Sequence, residues 1–109
     1  MEILRIVRLS FEKDNVDDFI KIFIDTKNQI RSFKGCKHLE LLKDSNQPNV
    51  FFTLSKWESE EALEYYRRST LFKETWSKTK ILFNEKPSAY SMVSEIFVIE
   101  EKFQIQGSD

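Results

Sequence analysis

The side chains best placed for chemistry are Tyr66, Trp76 and His38. Tyr66 falls on the apolar side of a helix whose other inward residues are Ala62 and Leu63. A phenol there can donate a hydrogen bond to a substrate oxygen or stabilise a developing phenolate. It can equally be a core tyrosine whose hydroxyl reaches solvent or a backbone carbonyl. Trp76 shares a helical stripe with Phe72, and its indole is a donor only. Plain core filling is its other reading. His38 is the single histidine and the one side chain with an ordinary pKa near neutrality, hence the ready general base. It shares strand parity with Cys36 and Glu40, opposite Leu39 and Leu41. If the leucines face the helices, His38 lies on the other side of the sheet.

The remaining reactive groups have simpler readings. Cys36 is expected to be a small buried hydrophobe. Trp57 ends a strand just before a helix cap and is read as structural. Arg5 and Arg8 interrupt an apolar strand. One of them is expected to pair with Glu40 or Glu58 across the sheet, the alternative being an anion contact at a pocket mouth. Arg67 and Arg68 read as a solvated helix face. A single Cys and a single His exclude an intrachain disulfide and every multi-cysteine metal site. With only two Gly there is no phosphate-cradling loop, and neither G-x-S-x-G nor His-Glu-x-x-His occurs. No cofactor and no metal is therefore expected.

The elements that must position these residues follow from periodicity. Residues 2–11 form a strand with Leu4 and Ile6 on one face and Ile3, Val7 and Leu9 on the other. Asp14 or Asn15 caps a helix with a stripe of Val16, Phe19, Ile20, Phe23, Lys27 and Ile30. Phe33 extends that stripe, and Gly35 is its expected C-terminal stop. Residues 36–43 are a second strand, 44–49 a turn-rich hairpin loop, and 50–58 a third strand. Ser59 caps a helix with Glu60 and Glu61 in its first turn, and Ser69 or Thr70 caps the next. That last helix carries Phe72, Thr75, Trp76, Thr79 and Phe83, and its run ends at Pro87. Residues 88–100 make a fourth strand.

The order β-α-β-β-α-β predicts an α+β, ferredoxin-like domain: a four-stranded antiparallel sheet with helices on one face. The domain is expected over 1–100, with a strand extension and polar tail over 101–109. Both faces of the strands are apolar, for Phe51 and Phe52, like Phe97 and Val98, point to opposite sides. A second copy is the simplest cover, so a homodimer joined through the sheet is expected. The net charge of −1, with Lys and Arg interspersed among Asp and Glu, argues against a nucleic-acid partner. No membrane-length apolar run or signal-peptide core occurs, so a cytoplasmic protein is expected.

The segments FKGCKHLELLKD and VFFTLSKWESEEALEYYRRSTLF resemble the antibiotic biosynthesis monooxygenase superfamily of dimeric α/β barrels. The matching motifs are W-E-S-E-E-A-L at 57–63 and the Gly35-Cys36 strand entry, and the resemblance spans about residues 2–93. It implies a pocket between sheet and helices. Some members oxidise polycyclic phenols or quinols with O₂ and neither metal nor flavin, and a tryptophan near the pocket contacts the aromatic substrate. In that reading Tyr66 and Trp76, with His38 as the possible base, position and polarise the substrate. Other members degrade heme, with an Asn, a Trp and a proximal His at positions aligned with Val7, Tyr66 and Trp76. All three differ here. A non-catalytic ligand-binding or stress-response dimer on the same scaffold is the alternative.

Overall fold

A computed structural model of the chain describes residues 1–102. Strand β1 (Ile3–Ser10) is followed by a short 3₁₀ turn at Lys13–Asn15 and helix α1 (Val16–Arg31). A hairpin of β2 (Cys36–Lys43) and β3 (Val50–Trp57) comes next, then α2 (Glu60–Arg67), α3 (Thr70–Lys80) and β4 (Ser88–Met92). The four strands form one antiparallel sheet in the order β2-β3-β1-β4, with β1 central and paired to both β3 and β4. This is the α+β, ferredoxin-like arrangement expected from the sequence. Of the tail expected over 101–109, residues 103–109 lie outside the described residues.

Local chemistry explains most element ends. Ser59 Oγ accepts from the Ala62 amide at 3.0 Å and Ser69 Oγ from the Phe72 amide at 3.1 Å, so Ser69 and not Thr70 caps α3. Asp44 Oδ1 accepts from the amides of Asn46 and Gln47, closing the β2–β3 loop as an Asx turn. Asn15 occupies the cap position of α1, but its side chain donates to the Leu82 carbonyl at 3.4 Å and leaves the helix amides uncapped.

Three expectations need correction. Helix α1 ends at Arg31 with Ser32 as its cap, so Gly35 is not the helix stop. Its φ of 86° serves the tight entry into β2, where its carbonyl accepts from the Glu58 amide at 2.8 Å. Phe83 is not on α3; the chain leaves the helix after Lys80 and Phe83 bridges to Phe11 beyond the end of β1. Strand β4 stops at Met92 rather than running to residue 100. Met92 pairs with Leu4, almost at the start of β1, so the described residues beyond it, 93–102, have no neighbouring strand to bond.

The register assigns the faces. Ile3, Arg5, Val7 and Leu9 of β1 stand beside Phe51, Thr53, Ser55 and Trp57 of β3, all toward the helices. Leu4, Ile6, Leu42, Phe52, Leu54, Tyr90 and Met92 occupy the opposite face, which no helix among the described residues covers. A bulge between Cys36 and His38 breaks the parity of β2. Cys36 thereby joins the helix-side core with Ile3, Trp57 and Leu63, while His38 and Glu40 stay on the open face.

Gly35 is the tightest backbone constraint. A Cβ there would lie 2.5 Å from Ala62 Cβ, in a conformation that L-residues avoid. Gly35→Ala is expected to lower stability by about 2–4 kcal/mol from strain and overpacking together. Urea unfolding checks this, and a loss within about 0.5 kcal/mol would show that the close approach is not required.

Candidate functional site

The helix-side core is divided. One buried cluster joins Ile3, Cys36, Trp57 and Leu63 at one end of the sheet, with Phe33, Ala62 and Tyr66 against it. The other joins Leu9, Phe11, Phe19 and Phe51 at the opposite end, with Val7, Phe23, Trp76 and Phe83 among its neighbours. Between them lies a cavity of about 310 Å³. The cause is visible along β3, whose helix-facing residues run large, small, small, large: Phe51, Thr53, Ser55, Trp57. The large end residues hold the helices off the sheet, and the small central ones leave the gap unfilled.

Arg5, Val7, Thr53, Ser55, Leu39 and Ala89 make the floor. Ile22, Phe23, Thr26 and Ile30 of α1 form one wall, and Leu63, Tyr66, Arg67, Phe72, Thr75, Trp76 and Thr79 of α2 and α3 form the other. The aromatics of that second wall are continuous. Trp57 stacks on Tyr66 at 4.8 Å between ring centres, Tyr66 meets Phe72 edge-on at 5.3 Å, and Phe72 lies parallel to Trp76 at 6.0 Å. Trp57 is 1% exposed, and its indole donates to Ser55 Oγ at 3.0 Å. Thr26 and Thr79 donate back to the carbonyls of Ile22 and Thr75, so these hydroxyl protons are used within the helices.

The structure brings Tyr66 and Trp76 to the cavity but not His38, which lies on the other face of the sheet and meets Glu40 at 3.1 Å. No described residue takes up the Tyr66 hydroxyl or the Trp76 indole N–H. No buried polar side-chain atom is left unpartnered among the described residues, so both groups reach open space. Burial, with a smaller push from nearby Cys36, raises the Tyr66 phenol above the ordinary tyrosine range. At neutral pH it is a hydrogen-bond donor and not a base. Burial also pushes the Cys36 thiol up, partly opposed by the His38 backbone and by Arg31, and Cys36 does not line the cavity. It is the buried hydrophobe expected.

Arg5 and Arg8 do not pair with Glu40 or Glu58. Arg8 bonds Glu85 at 2.6 Å on the open face, where β1 parity directs it. Arg5 points with Val7 into the cavity floor and donates to Ser91 Oγ at 2.8 Å. Burial and the nearby Arg67 lower its pKa, with Glu64 pulling the other way, but a guanidinium stays charged throughout. Sequence reasoning gave Arg5 a place at a pocket mouth only as the alternative to an ion pair, and it missed the Thr53/Ser55 gap as a determinant of the site. The signal was present: Arg5 shares the parity of Ile3, Val7 and Leu9, and the size alternation is written along β3. Among the described residues no group of three His, Cys, Asp or Glu gathers as a metal site, and no helix is long and apolar enough to cross a membrane.

Residues 3–77 match the family model described as antibiotic biosynthesis monooxygenase, and they hold β1 through most of α3, the elements that enclose the cavity. The chain belongs to the antibiotic biosynthesis monooxygenase family. Solved structures agree on the fold. A conserved protein from Methanosarcina mazei Go1 is 16% identical with a TM-score of 0.84, over 87% of this chain and 94% of its own. Rv0793 from Mycobacterium tuberculosis is 13% identical with a TM-score of 0.83, over 91% and 100%. A structure named antibiotic biosynthesis monooxygenase is 14% identical with a TM-score of 0.81, over 86% and 99%. At such identities the likeness extends to the fold alone. No curated protein matches the sequence significantly. Within the family frame, Val7, Tyr66 and Trp76, the positions aligned with the heme-degrading pattern, all line the cavity, and no imidazole does.

The raised Tyr66 pKa carries a pH signature. Between the ordinary value of about 10 and the higher native one, the unfolded chain has released a proton that the native chain retains. This contribution to stability is complete below the ordinary value and is lost as pH rises through the native one. Tyr66→Phe is expected to flatten the alkaline decline in stability, followed by urea unfolding across a pH series. A decline as steep as that of the unaltered protein would assign it to other groups.

Proposed function

We propose that the cavity binds a flat, phenol- or quinol-like aromatic and that the protein is a cofactor-independent monooxygenase, oxidising this molecule with O₂. The observation that carries the reading is a cavity with one continuous aromatic wall that includes Tyr66, whose protonated hydroxyl bonds no described residue. About 310 Å³ is the lower end of the range for small-molecule sites, enough for on the order of two or three fused rings. Family membership and the monooxygenase name of a structural neighbour support the reaction class.

In this reading Tyr66 donates a hydrogen bond to the substrate oxygen and stabilises charge that develops there. Trp76 and Phe72 hold the ring by stacking and edge contacts. The substrate supplies the electrons. A ring methylene, in the keto tautomer of a polycyclic phenol, loses both hydrogens as it becomes a carbonyl. One oxygen atom of O₂ enters that carbonyl and the other leaves as water. Oxygen uptake with a panel of di- and trihydroxy polycyclic aromatics tests this. Tyr66→Phe is expected to lower kcat about 10- to 100-fold with little change in KM. No uptake above that of a Tyr66→Phe/Trp76→Phe double variant would count against an oxygenase.

One observation favours a second reading, a ligand-binding dimer without catalysis. No His, Asp or Glu lines the cavity, so the described residues supply no general base. Ligand binding without oxygen uptake would select it.

We also propose that two copies associate through the open sheet face. Leu4, Ile6, Leu42, Phe52, Leu54, Tyr90 and Met92 share this face, and the chain beyond β4 carries Ile96, Phe97 and Val98 at 80–82% exposure. An apolar surface of this kind is rarely left to water by a monomer. Sedimentation equilibrium is expected to give twice the chain mass of 13.1 kDa, and a concentration-independent mass of one chain would refute the dimer.

A further inference from the structure

Arg5 is a cation placed in an otherwise apolar and hydroxyl-bearing cavity floor. It sits mid-strand on β1, opposite Ser55 on one side and Ser91 on the other, and is half-buried. Its described partner is neutral: Ser91 Oγ, at 2.8 Å. A guanidinium carries about five N–H donors in a fixed fork, so most remain free. The ion pairs among the described residues are Arg8–Glu85, His38–Glu40, Lys56–Glu2 and Arg67–Glu64, and none includes Arg5. Arg67 lines the same cavity and is held by Glu64 at 2.9 Å, a carboxylate that is near Arg5 but does not line the cavity. The cavity thus has two neighbouring cations and, among the described residues, no carboxylate in its lining.

A half-buried arginine that serves the fold is normally given a carboxylate by the protein itself. Here the groups beside Arg5 are hydroxyls, a second cation that repels it, and Glu64, whose carboxylate is bonded to that second cation, Arg67, at 2.9 Å. We infer that the counter-charge belongs to the ligand: the cavity takes a flat aromatic anion, with a carboxylate or an ionised acidic hydroxyl on Arg5 and its rings against Phe72 and Trp76. This rests on the proposed aromatic-binding role of the cavity and deepens it. The fork of Arg5 can meet two oxygens of such a group at once, which fixes ring orientation as well as charge. An acidic hydroxyl held there is kept ionised without a protein base, which is the electron-rich form that reacts with O₂.

Isothermal titration calorimetry with three probes tests the assignment: naphthoate, the ionised hydroxynaphthoquinone lawsone, and neutral naphthamide. At least one anion is expected to bind about tenfold or more tightly than naphthamide, and which one does so distinguishes a carboxylate from an acidic hydroxyl. Arg5→Met should erase that preference while leaving naphthamide affinity unchanged, and Arg5→Lys should retain part of it. Equal binding of all three probes, or a preference that survives Arg5→Met, overturns the anion assignment while leaving the aromatic cavity standing. Binding of none of them to the unaltered protein overturns both readings. Since the probe comparison is made on the unaltered protein, it stands even if Arg5→Met fails to fold.

Discussion

The site depends on how Trp57 is held. Its indole is closed off by Ser55 on its own strand, its face by Tyr66 of α2, and its flanks by Ile3 and Cys36 on the neighbouring strands. The stacked pair contributes about 0.5–1.5 kcal/mol beyond the area it buries, but its geometric effect matters more. Trp57 fixes the height of α2 above the sheet at one end, as Phe51 with Phe11 and Phe19 does at the other. With both ends propped, the chain between them is spanned by Thr53 and Ser55, too short to reach the helices. The cavity is therefore a consequence of where large residues stand on one strand, and Gly35 is the local condition that lets the start of α2 approach closely enough for the prop to work.

The fold was legible because its signals were periodic. Strand β2 begins and ends where alternation and turn residues place it, and Ser59 and Ser69 cap the helices as their types suggest. What failed to show was set by distant partners. The length of β4 is decided by where β1 begins, which no pattern within 88–100 encodes. Phe83 fits the α3 stripe by spacing, yet a bridge to Phe11 removes it from the helix. The bulge in β2 leaves no mark in the sequence and moves Cys36 to the face opposite His38, although spacing alone puts the two together.

The candidate site was half legible for the same reason. Tyr66 and Trp76 announced themselves as aromatics on inward helix faces, and both line the cavity. The doubt attached to His38 rested on parity, and parity settled it, since Leu39 faces the cavity and His38 does not. Arg5 was placed at a pocket mouth only as a second choice, because a charge inside an apolar strand invites the search for a partner across the sheet. The decisive fact is that the opposed residues are Ser55 and Ser91. Spatial neighbours, and not the charge itself, distinguish an arginine paired within the fold from one left without a carboxylate across the sheet.

These placements constrain what chemistry the cavity can support. A phenol held protonated by burial can give a hydrogen bond but cannot accept a proton at neutral pH, and a guanidinium can do neither more nor less than stabilise negative charge. Neither can pull a proton from carbon. If an oxidation occurs in this cavity, acidity must reside in the substrate, and the protein's contribution is to make the ionised form cheaper and to shield it from water. Such a site would favour molecules acidic enough to ionise beside a cation over less acidic phenols of the same shape. Specificity would then follow the ligand's own pKa as much as its outline, through a single residue in the sheet floor.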